Sequence, residues 1–202
     1  MLQHKIVNIL KLLIPSSIRR GLYKYCQTAF ENSRIQKENS IPKVPLNSIN
    51  IANCEVVLNR KALLELLPKN ACVAEIGVDV GDFSEQILAI SNPQRLHLID
   101  LWNSKNYGNE KYEFVSNRFN KLILEKKVKI HKKLSIDAVN DFPDRYFDWI
   151  YIDTNHTYET TREELNAYAA KIKTDGLISG HDYTKCNFIK EVRVGVIEAV
   201  HE

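Results

Sequence analysis

The sequence predicts an α/β fold, a doubly wound parallel sheet with helices on both faces. Five short apolar runs alternate with segments of helical periodicity, which is the pattern of consecutive βαβ units. Each run is short enough to form a strand that is buried on both faces. The 202 residues are 44% hydrophobic and 26% charged, and this composition excludes fibrous and largely disordered chains.

The apolar runs and the periodic segments give the predicted elements in order. The predicted strands are Cys72–Ile76, Leu96–Leu101, Val128–Ile130, Phe147–Ile152 and Leu177–Ser179. The predicted helices of the same region are Phe83–Ile90, 111–125, Ser135–Phe142, Tyr158–Ile172 and Phe188–Val200. Parallel strands place their carboxyl ends on one edge of the sheet, so a ligand is expected at this edge.

A basic segment precedes the predicted sheet. Residues 1–50 contain eight Lys and Arg residues and two acidic residues. We expect a helical arm at 1–38 with helices Leu2–Leu13 and Ser16–Ser33, followed by a linker at 39–58 and the main domain at 59–202. The arm is expected to pack as a lid or dimer element, or to contact a partner protein or an anionic membrane surface.

Several classes of protein are not predicted by this sequence. The early apolar run Ile6–Ile14 is interrupted by Asn8 and Lys11, so it is too short for a membrane span of about 20 residues, and no cleavage site of a secretory signal follows it. The four cysteines lack zinc-type spacing, which favours reduced thiols. No basic stripe with interleaved aromatic residues indicates a nucleic-acid partner. The predicted location is cytoplasmic, or peripheral at the inner face of the membrane.

A glycine-containing turn follows the first predicted strand. Glu75, Gly77 and Gly81 mark the passage from this strand to the next helix. Glycine lets the backbone turn tightly and approach a ligand, and the helix N-terminus offers free amide groups. The carboxylate of Asp79 in this turn would repel a pyrophosphate, whereas a ligand that carries an amine or a sulfonium would accept nearby acids.

A second acidic feature is Asp100, which closes the next predicted strand about twenty residues further on. An acid at this place suits the two hydroxyls of a ribose. The structural alternative is a glycine turn with a capping aspartate, and each feature alone is a weak signal. Together the turn and the acid predict a nucleoside ligand.

A third group of polar residues follows the last two predicted strands. Asp153 ends one strand and His181 with Asp182 ends the next, while His156 lies three residues into the loop after Asp153. The side chains of Asp153, His181 and Asp182 can converge at one edge of the sheet, as a metal-ligand set or as an acid–base set. Alternatively, Asp153 caps the helix that begins near Tyr158 and His156 only braces the loop.

These residues resemble the motifs of the class I methyltransferases that depend on S-adenosylmethionine. Glu75-x-Gly77-x-x-x-Gly81 is similar to the first motif of that family. Segments 147–159 and 173–183 resemble the fourth-strand and fifth-strand motifs of a bacterial subgroup that includes macrocin O-methyltransferase and other enzymes that methylate sugars. The resemblance covers about residues 60–202 and implies a Rossmann-like methyltransferase domain.

The resemblance also implies roles for single residues. Glu75, Gly77 and Gly81 would bind the methionine part of S-adenosylmethionine, and Asp100 would hold its ribose. Trp102 or Ser135 would lie near the adenine.

A divalent metal is a further implication, because related enzymes hold Mg²⁺ with three acids in this region. Asp153 and Asp182 fit that set, whereas His181 stands where a third Asp is expected. A hard cation would bind a sugar diol and lower the pKa of a hydroxyl. The imidazole shifts the expected preference from Mg²⁺ toward Mn²⁺, Fe²⁺ or Zn²⁺. The alternative is a metal-free enzyme in which Asp153, His156 or His181 is the general base.

The expected function is S-adenosylmethionine-dependent O-methylation of a sugar hydroxyl, in the biosynthesis of a polysaccharide or of a glycosylated metabolite. The expected partners are a small-molecule or glycan substrate and a second copy of the chain. The alternative is an inactive cofactor-binding or scaffold subunit of a glycan assembly complex.

Class I methyltransferases finish with a sixth and a seventh strand that this sequence does not predict, so we expect a truncated form or an exposed sheet edge that a partner or the arm covers.

Overall fold

The computed structural model describes residues 15–39, 43–103, 108–184, 188–189 and 192–202, and the predicted helix Leu2–Leu13 lies outside them. The chain divides into two compact units, residues 1–43 and 44–202. In the first unit the helix Ser16–Asn39 is longer than the predicted one, and the apolar side chains of Ile18, Leu22 and Phe30 are exposed on it. None of the helices in the described ranges combines the length and the apolarity that a bilayer span requires.

A five-stranded parallel sheet organises the second unit. Its strands are β1 (Cys72–Ile76), β2 (Arg95–Asp100), β3 (Val128–Lys132), β4 (Phe147–Ile152) and β5 (Ile172–Gly180), in the spatial order β3-β2-β1-β4-β5. The predicted α/β class with five parallel strands is confirmed. The order reverses between β1 and β4, and this switch point is where open α/β sheets bind ligands.

Helices and short turns connect the strands. The helices of this unit are Arg60–Leu66, Asp82–Gln86, Asn109–Arg118, Asn120–Leu124, Ser135–Ala138, Tyr158–Ala169 and Val196–His201. The unit also contains two 3₁₀ turns, Ser48–Ile51 and Val139–Asp141, and one π-helical turn, Ile87–Ser91.

The core lies on both faces of the sheet. Val73 and Trp149 pack on one face, whereas Ala74 and Ile150, the next residues along the same strands, pack on the other. Because successive side chains of a strand point to opposite faces, β1 and β4 need apolar residues at most positions, and Glu75 and Asp148 are the exceptions. This requirement explains why continuous apolar runs predicted both strands with the observed bounds.

The last third of the sheet departs from the prediction. The helix after β4 ends at Ala169 and β5 already begins at Ile172, whereas the sequence predicted a helix to Ile172 and a strand over 177–179 only. Ile172 pairs with Phe147 and Leu177 with Trp149, so the polar residues 173–176 form an irregularity between two paired stretches. Because these residues are polar, the search for apolar runs did not predict the first half of β5.

The predicted helix Phe188–Val200 is wrong. Phe188–Ile189 (β6) and Val192–Arg193 (β7) pair antiparallel in a small sheet of their own, and a helix begins only at Val196. Gly195 lies between the two parts as the N-cap of this helix, and it packs so closely that a Cβ would lie 2.6 Å from Tyr158. Among the described residues no strand pairs with the outer edge of β5.

Candidate active site

A cleft of about 880 Å³ opens at the carboxyl ends of the central strands. Its volume suits a ligand the size of a nucleoside with a side chain. The predicted site residues that line it are Glu75, Gly77, Asp100, Trp102, Ser135, Asp153 and His156. Gly81, His181 and Asp182 do not line it, although His181 and Asp182 contact residues that do.

Gly77 brings the loop after β1 against the loop after β4. Its φ is +88°, and a Cβ at this position would lie 1.9 Å from the carbonyl oxygen of Asp153. The Gly77 N–H donates to the Ile99 carbonyl at 2.9 Å. Any side chain here would therefore push apart the two loops that form the centre of the cleft.

Gly81 shapes the same turn without facing the cleft. Its φ is +80°, and a Cβ would lie 2.7 Å from the ring of Phe119. The Gly81 N–H donates to the Val78 carbonyl at 2.9 Å, and the helix Asp82–Gln86 starts directly after it. The second motif glycine thus permits close packing of this turn.

Asp100 ties the first loop to the end of β2. Its Oδ2 accepts hydrogen bonds from the N–H groups of Val78 at 2.8 Å and Asp79 at 3.1 Å, and its Oδ1 accepts one from Trp102 at 3.2 Å. An ionised carboxylate offers about four acceptor positions. One position therefore remains for a ligand hydroxyl, and the backbone fixes the orientation of the carboxylate.

The loops after β2 and β3 form the other wall of the cleft. Trp102 is buried, and its indole N–H donates to the Asp79 carbonyl at 2.9 Å. Ser135 starts a helix, and its carbonyl accepts a hydrogen bond from the Tyr168 hydroxyl at 2.8 Å. Leu134 also lines the cleft and is exposed. Asn103 and Lys133 line the cleft from the same loops, so this wall combines polar with apolar side chains.

Glu75 lies at the buried base of the cleft. Its carboxyl group is 2% exposed and accepts a hydrogen bond from the Ser84 hydroxyl. Burial raises the pKa of Glu75 to about 8, against the opposing effect of the Ser84 hydrogen bond. At neutral pH the side chain is therefore mostly uncharged.

Two histidines and two carboxylates converge beside the cleft. The Nε2 of His156 lies 3.3 Å from Oδ1 of Asp153 and 3.5 Å from Oδ2 of Asp182. The Nδ1 of His181 lies 3.7 Å from Oδ1 of Asp153 and 3.1 Å from Oδ1 of Asp182. We call these four residues the Asp–His cluster.

One nitrogen of the Asp–His cluster has no hydrogen bond. The Nδ1 of His181 is buried, and despite its short distance to Asp182 the geometry is not that of a hydrogen bond. Hydrogen bonding to Asp153 raises the pKa of His156, and the charge of Asp182 adds to this effect against the desolvation of the ring. The cluster therefore concentrates negative charge around two imidazoles and leaves a buried nitrogen unsatisfied.

The backbone of the Asp–His cluster is unusual at two points. His156 and Asp182 both have positive φ, +60° and +54°. Such values are uncommon outside glycine and often mark functional sites. The His156 carbonyl also accepts a hydrogen bond from Gly195 at 2.9 Å, so the C-terminal segment supports this loop.

Asp153 does not cap the helix that follows it, which was the alternative to a role in the site. The helix Tyr158–Ala169 is capped by Thr157, whose Oγ1 accepts the N–H of Thr160 at 3.2 Å. The Asp153 side chain is instead directed at His156 and His181.

Sequence reasoning missed Arg60. This residue lines the cleft from the helix Arg60–Leu66, whose cap Asn59 accepts the N–H groups of Lys61 and Ala62. An Asn before a short helical segment is a helix-start signal that the sequence contains. The segment precedes the first strand and carries no motif, so it gave no functional signal.

The sheet order, the glycine turn and the acid at the end of β2 define a Rossmann-like domain of the S-adenosylmethionine-dependent methyltransferase class. Residues 74–183 match the profile of a family described as a methyltransferase domain. The chain belongs to this family.

Several solved structures are similar to this chain. A Clostridium thermocellum protein provisionally named an rRNA methylase is 14% identical, and the match covers 72% of this chain and 79% of that one with a TM-score of 0.54. A Staphylococcus aureus protein provisionally named a caffeoyl-CoA O-methyltransferase is 19% identical over 88% of this chain and 72% of that one, with a TM-score of 0.45.

Spermidine synthase from Thermotoga maritima is also 19% identical, over 58% of this chain and 40% of that one, with a TM-score of 0.43. The chain therefore matches less than half the length of this structure. A comparison with curated proteins gives no significant match.

Proposed function

We propose that the protein transfers a methyl group from S-adenosylmethionine to a hydroxyl oxygen of a sugar or of a glycosylated substrate. The observation that carries this proposal is the Asp–His cluster, which places two carboxylates and two imidazoles beside the cleft. An alcohol is a poor nucleophile, so its methylation needs a group that removes or stabilises the hydroxyl proton. The sugar class is supported by the likeness of segments 147–159 and 173–183 to sugar O-methyltransferases.

The lining residues fit the cofactor by their chemistry. When bound, S-adenosylmethionine supplies a methyl group on a positively charged sulfur. Asp100 would accept a ribose hydroxyl at its remaining acceptor position, and Trp102 with Ser135 would lie beside the adenine. Gly77 would allow the methionine part to approach the backbone between the two loops. Glu75 would contribute an uncharged polar group below it.

The Asp–His cluster also fits a divalent cation. Asp153, His156 and His181 each offer one ligand atom, and these atoms lie within 4.8 Å of one another. The Nδ1 of His181 has no hydrogen-bond partner, and its lone pair could bind a cation. Asp153 and His181 of this set are also the ligands expected from the sequence, and we propose Asp182, whose Oδ1 lies 3.1 Å from the His181 Nδ1, as the third ligand in place of His156. Mixed imidazole and carboxylate ligands favour Mn²⁺ over Mg²⁺. A cation here would act as a Lewis acid toward the acceptor hydroxyl.

His156 is the one member of the cluster that is not assigned to the cation. It lines the cleft, whereas His181 and Asp182 do not, so it would receive the proton of the acceptor. The acceptor O–H bond breaks and its proton goes to His156, which Asp153 and Asp182 stabilise in the charged form. The oxygen then forms a bond to the methyl carbon as the carbon–sulfur bond breaks. S-adenosylhomocysteine and the methyl ether are the products.

A methyl-transfer assay tests this proposal. The full chain is incubated with methyl-labelled S-adenosylmethionine and a panel of free and nucleotide-linked sugars, in Mn²⁺, in Mg²⁺ or in EDTA. We expect label on a sugar hydroxyl in Mn²⁺ and a loss of about 100-fold in EDTA, since the Lewis acid is removed. Amine and thiol acceptors serve as controls.

Two results would contradict the proposal. Transfer to amines or thiols and to no hydroxyl would exclude O-methylation. Unchanged transfer to a sugar after exhaustive chelation would exclude the cation and leave the Asp–His cluster as an acid–base group alone.

A further inference from the structure

The helix Ser16–Asn39 carries an apolar stripe along one of its faces. Ile18, Leu22, Tyr25 and Ala29 form this stripe, because they recur at the spacing of i, i+4, i+7 and i+11. The side chains of Ile18, Leu22 and Tyr25 are exposed, and the structure describes no buried residue in this helix. An amphipathic helix is stabilised mainly by the surface on which its apolar face packs, so we expect the stripe to be covered when the helix acts.

The opposite face of the same helix is basic. Helical spacing places Arg20, Lys24 and Arg34 on it, with Glu31 as the acidic exception. In the sequence five Lys and Arg residues precede Glu31, and no acidic residue does. The helix therefore attracts a negatively charged surface, whereas a second copy of the same helix would bring charge of the same sign.

Two aromatic side chains lie at one border of the apolar stripe. Tyr23 and Phe30 are both exposed there. Aromatic rings favour the boundary between the hydrocarbon of a bilayer and its headgroups, because they combine an apolar body with a polar or polarisable edge. An apolar stripe, an aromatic border and a basic opposite face are the features of helices that lie in the plane of a membrane surface.

We propose that the helix Ser16–Asn39 binds the surface of an anionic lipid bilayer. The apolar stripe enters between the lipid headgroups, and the long side chains of Arg20 and Lys24 keep their charges at the level of the lipid phosphates. This binding is separate from methyl transfer and does not depend on the proposed function. Its consequence is that the chain is concentrated at a lipid surface.

Co-sedimentation with lipid vesicles tests this assignment. The full chain is mixed with vesicles of phosphatidylcholine, or with vesicles of phosphatidylcholine and phosphatidylglycerol in equal parts. We expect the affinity for the anionic vesicles to be at least about 10-fold higher, because several basic side chains meet the negative surface. High salt should reduce this difference, since it screens the attraction.

Leu22→Gln and Thr28→Gln are a matched pair of variants. Both leave the charge of the helix unchanged, and glutamine favours a helix. Leu22 belongs to the apolar stripe, whereas Thr28 is exposed on the polar side of the helix. We expect Leu22→Gln to weaken binding to the anionic vesicles about 10-fold or more, because burial of the leucine side chain is lost. Binding of Thr28→Gln should stay within about twofold of the parent.

Three results with vesicles would overturn the assignment: no binding of the parent chain to the anionic vesicles, equal affinity for the neutral ones, or equal losses in the two variants. Sedimentation equilibrium without lipid is the second measurement. A dimer of the parent chain that Leu22→Gln alone dissociates would make a second copy the occupant of the apolar stripe, and would overturn the lipid assignment as well. S-adenosylhomocysteine binding is measured on the same preparations, and its failure would contradict the proposed function and leave the lipid assignment in place.

Discussion

Replacing Asp153 by asparagine is expected to lower methyl transfer about a thousandfold. Asn keeps the shape of Asp153 and removes its charge, so the polarisation of the cluster is lost together with one proposed cation ligand. Asp153 Oδ1 faces both imidazoles, at 3.3 Å from His156 and 3.7 Å from His181. Turnover is measured with labelled S-adenosylmethionine, and S-adenosylhomocysteine affinity is measured on the same preparation.

The affinity for S-adenosylhomocysteine should change by less than about threefold in Asp153→Asn, because the cluster acts on the acceptor and not on the adenosine. Asp175→Asn is the control, since Asp175 is an exposed carboxylate on β5 that does not line the cleft. Turnover within about threefold of the parent in Asp153→Asn would remove this residue from the chemistry.

Replacing Gly77 by alanine is expected to destabilise the protein by about 3 kcal/mol or more. The new methyl group would overlap the Asp153 carbonyl oxygen, and φ of +88° is strained for any residue with a Cβ. Relief of the overlap would separate the loops after β1 and β4, so binding of S-adenosylhomocysteine should also be lost. The free energy of unfolding in urea and a calorimetric titration measure the two effects.

Gly21→Ala is the control for Gly77→Ala. Gly21 lies in the helix Ser16–Asn39, and a Cβ there would meet no atom within 4 Å. Alanine favours a helix over glycine, so stability should stay the same or rise slightly. A Gly77→Ala protein as stable as the parent would contradict the close approach of the two loops.

Much of the fold could be predicted, because strands that are buried on both faces appear in the sequence as short apolar runs. The strands β1 and β4 are apolar at nearly every position, and their bounds follow directly from the sequence. The first half of β5 does not appear as an apolar run, because residues 173–176 are polar and lie where the pairing with β4 is interrupted. Phe188–Val200 imitated a helix through its apolar spacing, although Gly195 separates a short hairpin from the final helix.

The sequence could predict the positions of those site residues that directly follow a strand. Asp153, His181 and Asp182 follow neighbouring parallel strands, so the sheet brings them to one edge whatever the loops do. The contact of His156 with both carboxylates depends on its positive φ, and no local pattern indicates that conformation. Arg60 reaches the cleft through tertiary packing on Phe83, which a single sequence does not reveal.

The predicted place of Asp100 illustrates the same limit. Its position at the end of β2 follows from the sequence, whereas its three hydrogen bonds to the N–H groups of Val78, Asp79 and Trp102 depend on how two loops fold around it. These bonds orient the carboxylate before any ligand binds, so the role predicted for it requires only its remaining acceptor position.

Calorimetric titration of the full chain with S-adenosylhomocysteine, with NAD as the control, tests the central claim most directly. The cleft, the oriented carboxylate of Asp100 and the glycine turn predict a single site with a Kd of about 1 to 100 µM for the thioether and no measurable heat with NAD. Absence of binding to S-adenosylhomocysteine, or equal binding of NAD, would contradict the assignment of this cleft to S-adenosylmethionine.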